Sequence, residues 1–214
     1  MPRQPDDSDG TRFTRPGERD AIDDEQLLAL YAYPSGPSRC LLRANAIISL
    51  DGGATTDGTS GGLGGAGDRR LFGVLRELAD VIVVGAGTAR AENYAGAQMT
   101  VTQRQNRQNR GQSEIPPIAL VTRSGRLDHD LPVLIRTEVP PLVLTCTDAA
   151  PGARARLGAA AEVLDCSGND PGEVDPAAVL SVLTGRGLLR ALCEGGPTLL
   201  GTFVERADNT ARLL

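Results

Sequence analysis

Apolar positions along this chain fall into two rhythms. Short, nearly unbroken apolar runs recur at residues 41–50, 81–84, 118–122, 141–146, 162–166 and 188–193. Runs of this kind, rich in Val, Ile and Leu, predict strands buried on both faces. Between them, apolar residues return every three or four positions, the spacing of a helix with one buried side. Helices are expected at 23–31 (Leu27, Leu28, Leu30), 68–79 (Leu71, Phe72, Leu75 and Leu78 on one face), from 88 to 93, and at 153–161, 175–186 and 197–205. Asp68 and Asp175 stand where helix caps are expected, because a short acidic side chain accepts from the unpaired N–H groups of a first turn. Strands alternating with helices predict an α/β domain with a mainly parallel central sheet.

The polar stretches divide the chain. Residues 1–20 are rich in Asp, Arg and Pro and read as disordered, and 34–38 is a cluster of helix and strand breakers. Residues 1–38 therefore read as an N-terminal extension and 39–214 as the folded domain. Eight glycines in sixteen residues at 52–67 predict a loop that approaches something closely or moves. The run 103–114, with Arg104, Arg107 and Arg110, reads as a solvated loop.

Two strand ends carry the candidate chemistry. Strand 81–84 runs into Gly85-Ala86-Gly87-Thr88, and strand 188–193 into Glu194-Gly195-Gly196-Pro197-Thr198. Glycine turns that open a helix present free backbone N–H groups and the positive end of a helix dipole, which suits phosphate. Either turn alone is equally an ordinary tight connection. Together, at the strand ends where open α/β sheets bind ligands, they favour a nucleotide with several phosphates.

Composition narrows the classes. All 22 basic residues are Arg, so lysine Schiff-base chemistry and the lysine of a P-loop are excluded. His129 is the single histidine, which excludes His-pair metal sites; no metal is expected. Cys40, Cys146, Cys166 and Cys193 form no CxxC pair and read as reduced, buried thiols of a cytoplasmic protein. A net charge of −5 argues against nucleic acid and anionic membranes as partners, and no run approaches the ~20 apolar residues of a membrane span. A Rossmann fingerprint fails: its third glycine position is Arg90, and Arg123 follows strand 118–122 where a ribose-binding acid belongs.

Three segments resemble a known family. Asn45-Ala46-Ile47-Ile48-Ser49-Leu50-Asp51-Gly52, then residues 75–88 ending in Gly85-Ala86-Gly87-Thr88, then Glu194-Gly195-Gly196-Pro197-Thr198-Leu199-Leu200-Gly201 are similar to the pyrimidine reductases of riboflavin biosynthesis. These form the reductase half of the bifunctional deaminase–reductase and have the dihydrofolate reductase-like fold; this chain resembles the stand-alone actinobacterial members most. The resemblance implies an NADPH-dependent oxidoreductase acting on 5-amino-6-(5-phosphoribosylamino)uracil, a small-molecule partner, with a homodimer compatible. It implies cofactor binding by Gly85, Gly87, Thr88, Glu92, Thr122, Arg123, Ser124, Gly195, Gly196, Pro197, Thr198, Leu199, Leu200, Gly201 and Thr202. Thr122-Arg123-Ser124 falls where the family meets the adenosine 2′-phosphate, and a guanidinium with a hydroxyl suits a phosphate dianion. Ser60, Arg76 and Glu194 match substrate-contacting positions, although Arg76 read alone is also a surface helix arginine. No proton donor is assigned; Asp51 and Glu194 are the carboxylates in the motifs, and Asp51-Gly52 is equally a turn signal.

Three departures keep alternatives open. The zinc deaminase signature is impossible with one His and no CxxC. Asn45 stands where many members have lysine, and no arginine for a substrate phosphate is evident beyond Thr88, so a pterin such as dihydrofolate is an alternative substrate. Family members continue into further C-terminal strands, whereas this chain carries only residues 207–214 after the helix at 197–205. The expectation is a truncated domain in which Leu199, Leu200, Phe203 and Val204 cannot all find partners, and a catalytically inactive nucleotide-binding remnant is the third reading.

Overall fold

Six strands of four or five residues form one all-parallel sheet. They are β1 (Leu41–Ala44), β2 (Val81–Gly85), β3 (Ile118–Val121), β4 (Leu142–Thr145), β5 (Glu162–Asp165) and β6 (Arg190–Cys193). Their spatial order is β1-β6-β2-β3-β4-β5, so the last strand inserts between the first two. The computed structural model describes residues 12–14, 21–56, 59–60 and 62–205. Most of the expected disordered segment 1–20, and residues 207–214, lie outside them.

Burial of both faces explains the apolar runs. Ile82 and Val84 point into one cluster with Ala89, Val133, Leu134, Ala150, Ala153 and Leu157. Val81 and Val83 point into the other, with Val179, Leu180, Leu183 and Phe203. The first cluster receives helices α3 (Ala86–Ala91), α5 (Pro132–Ile135) and α6 (Ala150–Leu157). The second receives α7 (Pro176–Gly185) and α8 (Pro197–Glu205). Right-handed crossovers require this split: β2 to β5 step one way across the sheet, and the return from β5 to β6 crosses on the opposite face. The remaining helices are α1 (Asp24–Leu30), capped by the Asp23 side chain, α2 (Ala66–Leu78), and α4 (Val101–Asn109).

Several expectations are corrected. The run 41–50 pairs only over Leu41–Ala44, because its neighbour among the described residues, β6, ends at Cys193; Ile48 and Leu50 lie exposed beyond it. Helix α2 starts at Ala66 with Gly65 at its cap, so Asp68 lies inside the first turn rather than capping it. Helix α3 starts at Ala86, two residues before Thr88. The polar run expected as a solvated loop is largely helix α4, closed by a capping box between Thr100 and Gln103, and its Arg107 is fully buried. Asp175 does cap α7, accepting from the Ala177 N–H. On α8, Phe203 is buried, and Leu199 and Leu200 pack partly against the second cluster; among the four, Val204 stays exposed.

Candidate functional site

The two glycine turns meet. β2 and β6 are neighbours in the sheet, in register from Val81↔Ala191 to Val83↔Cys193, so their carboxyl ends lie side by side. Glu194 N–H donates to the Val83 carbonyl at 2.9 Å and Gly85 N–H to the Gly195 carbonyl at 2.8 Å. Gly195 takes φ +92°, which an L side chain rarely adopts, and its peptide bond to Gly196 is cis. A Cβ on Gly196 would sit 2.5 Å from Thr88 Oγ1, so a side chain there would push the Thr88 hydroxyl aside.

Two cavities flank this contact and share Thr88, Gly196 and Pro197. The smaller, about 460 Å³, is walled by Val121, Val174, Val179, Leu199 and Phe203, with Gly85, Gly87, Thr198, Thr202 and Arg123 also lining it. The larger, about 810 Å³, gathers Asn45, Ser60, Phe72, Arg76, Glu92, Glu194 and Leu200. Residues of the glycine-rich loop, among them Ala54, Thr55 and Gly64, close one side of it. The loop is held to the end of α3, where Ser60 N–H donates to Glu92 Oε1 at 2.6 Å.

A charged cluster forms the polar part of the larger cavity. Arg76 reaches from α2 and donates from Nε and Nη2 to the two Glu194 oxygens, each at 2.7 Å. Tyr94 donates its hydroxyl to Glu194 Oε2 at 2.8 Å. The Glu194 side chain is 1% exposed, so these three donors compensate the desolvation of its charge. The Arg76 guanidinium stacks on Phe72, 4.3 Å from the ring centre. Burial works against the Arg76 charge, but pairing with Glu194 outweighs it and raises the pKa. Burial, then the Glu194 charge, holds the Tyr94 phenol well above its ordinary range.

Other candidate residues lie elsewhere. Thr122, Ser124, Gly201 and Asp51 line neither cavity. Thr122 N–H is taken by the Leu144 carbonyl, and the Ser124 hydroxyl accepts from Arg126 N–H. Asp51 is an exposed turn residue held by Ser49, whose hydroxyl, with backbone N–H groups, keeps the carboxyl below its usual range. Tyr94, Phe72 and Glu173 are the site residues the sequence reading did not single out. Phe72 was placed on the core face of its helix, and Tyr94 and Glu173 lie in no motif. Among the described residues, no group of three or more His, Cys, Asp or Glu is placed to hold a metal ion, and no helix is long and apolar enough to cross a membrane.

A family model described as the RibD C-terminal domain matches residues 41–207. A crystal structure of a pyrimidine reductase-like protein from Corynebacterium diphtheriae is similar at 30% identity and TM-score 0.69, over 84% of this chain and 76% of that one. The riboflavin biosynthesis reductase Rib7 of Saccharomyces cerevisiae matches at 18% identity and TM-score 0.62, over 86% of this chain and 77% of that one. The deaminase/5-amino-6-(5-phosphoribosylamino)uracil reductase of Thermotoga maritima matches at 20% identity and TM-score 0.61, over 79% of this chain but 43% of that longer one. The last two share the fold. No curated protein matches by sequence.

Proposed function

Because the chain belongs to the RibD C-terminal domain family, we propose that it is an NADPH-dependent riboflavin-pathway pyrimidine reductase acting on 5-amino-6-(5-phosphoribosylamino)uracil. The observation that carries this reading is the back-to-back contact of the two glycine turns, which joins two mostly apolar cavities across Thr88 and Gly196, the larger one carrying the Arg76–Glu194–Tyr94 cluster. A dinucleotide fits that arrangement: the adenosine end in the smaller cavity, the pyrophosphate over Thr88 and Gly196, where a Cβ would crowd the Thr88 hydroxyl, and the nicotinamide at the larger cavity.

When bound, NADPH would supply a hydride to the imine carbon of the open-chain ribosylamino group, with a proton from water at the imine nitrogen completing the ribitylamino group. The protein holds the pyrimidine. Arg76 spends Nε and Nη2 on Glu194, and its Nη1 is the donor offered to a pyrimidine carbonyl, held in place by Phe72 stacking. Glu194 acts as a positioning residue: by accepting three hydrogen bonds it fixes Arg76 and Tyr94. Ser60 and Glu92 fasten the glycine-rich loop over the substrate.

A pterin substrate is the second reading. Arg76, a half-buried cation of the larger cavity, is already neutralised by Glu194, which leaves the exposed Arg69 to meet a substrate phosphate. Loss of nicotinamide absorbance, measured with the phosphorylated ribosylaminouracil, its dephosphorylated form and dihydrofolate, tests both. Turnover with the phosphorylated pyrimidine is expected. Turnover with dihydrofolate alone would move the assignment to a pterin, and binding without any turnover would favour the inactive remnant.

A further inference from the structure

The smaller cavity contains an ion pair that the proposed reaction does not use. Arg123, just after β3, donates from Nη1 to Glu173 Oε1 at 2.8 Å, and Glu173 stands just before α7. Both residues line the cavity beside Val121, Val174 and Pro176. Their backbones are pinned independently. The Arg123 carbonyl accepts from Cys146 Sγ at 3.1 Å. The Glu173 loop is tied back by Asp148 N–H to the Pro171 carbonyl and Asp175 N–H to the Cys166 carbonyl. The fold therefore sets a carboxylate directly against the arginine that lines this cavity.

We propose that Glu173 sets the choice between the two nicotinamide dinucleotides by competing with the 2′-phosphate for Arg123. This rests on the reading that the smaller cavity takes the adenosine end. A 2′-phosphate dianion must displace the Glu173 carboxylate from Arg123 and then lie beside a like charge. An unphosphorylated ribose does neither: its 2′-hydroxyl donates to the carboxylate and leaves the pair intact. Arg123 is 70% and Glu173 56% exposed, so the pair is a weak one and the phosphate still wins. The chain accepts NADH as well as NADPH, with a narrowed preference for NADPH. Removing the Glu173 charge widens that preference, and removing Arg123 reverses it.

The test is calorimetric titration of the full chain with NADPH, NADH, and the fragments 2′-phospho-ADP-ribose and ADP-ribose, for the wild type, Glu173→Gln and Arg123→Ala. Circular dichroism melts confirm that each variant is folded; both positions are on the surface. Glu173→Gln is expected to tighten NADPH about threefold or more while leaving NADH unchanged or weaker. Arg123→Ala is expected to weaken NADPH roughly tenfold or more without weakening NADH. The fragments should follow the same order, and the NADPH/NADH ratio should fall with added salt. An NADPH/NADH ratio unmoved by Glu173→Gln overturns the inference, as do equal shifts for both ligands. If the wild type binds neither dinucleotide, the nucleotide reading falls and this inference with it, a result distinct from an unmoved ratio.

Discussion

Arg107 shows what one side chain can organise. It is fully buried, yet Nε meets the Ser113 carbonyl and Nη1 the carbonyls of Arg76, Glu77 and Ala79. Those last three close the C-terminal end of α2, where a helix cannot satisfy its own acceptors and the dipole favours a cation. Burial lowers its pKa to about 10, so the charge persists at neutral pH. Arg107→Met keeps the bulk but leaves the carbonyls dry; a loss of about 3 kcal/mol is expected from chemical denaturation. The Arg76–Glu194 pair behaves differently. Arg76→Ala strands a carboxylate that is 1% exposed, for a cost of about 3–5 kcal/mol. The Arg76→Ala/Glu194→Ala double variant is expected to lose clearly less than the two single losses added together, because the stranded charge is gone. Strict additivity in denaturant melts would show that the pair is not coupled.

At the scale of elements, α4 is the instructive case. Its nine residues contain Val101 as their single hydrophobic residue, and that side chain is exposed, so apolar periodicity cannot reveal it. The Thr-x-x-Gln spacing at 100–103 is a helix-start signature legible in the chain. What docks the helix is a cation, with Asn106 and Arg110 adding bonds to Glu77. Thr100→Ala should destabilise by about 1 kcal/mol, read from the thermal midpoint. The two glycine turns make the opposite point. Each was visible as a strand–turn–helix junction, but their contact was not. Gly196→Val should leave the circular dichroism spectrum intact and weaken NADPH roughly tenfold or more, since its Cβ would displace Thr88 Oγ1. Normal titration by that variant would place the pyrophosphate elsewhere.

For the molecule as a whole, the thiols report on the integrity of the sheet. Burial first of all pushes Cys40 and Cys166 up to about 12 and Cys193 to about 11, from an ordinary value of 9.0. A folded pKa above the unfolded one means the stabilisation is complete below pH 9 and drains away as pH climbs through 9 towards 11 and 12. Native protein should therefore resist thiol alkylation at these three positions near pH 8, and its denaturation midpoint should fall between pH 9 and 11. Rapid alkylation of all four cysteines in native buffer would contradict the buried sheet. The sequence by itself determined the alternation of strands and helices, the cap at Asp175, and the two glycine turns. Each depends on neighbours within a few positions. Only the tertiary structure decided that β6 lies between β1 and β2, that Arg76 reaches Glu194 across 118 positions, and that Glu173 faces Arg123. Strand order follows from burying both sheet faces under right-handed crossovers, a global condition that no local pattern of residues encodes.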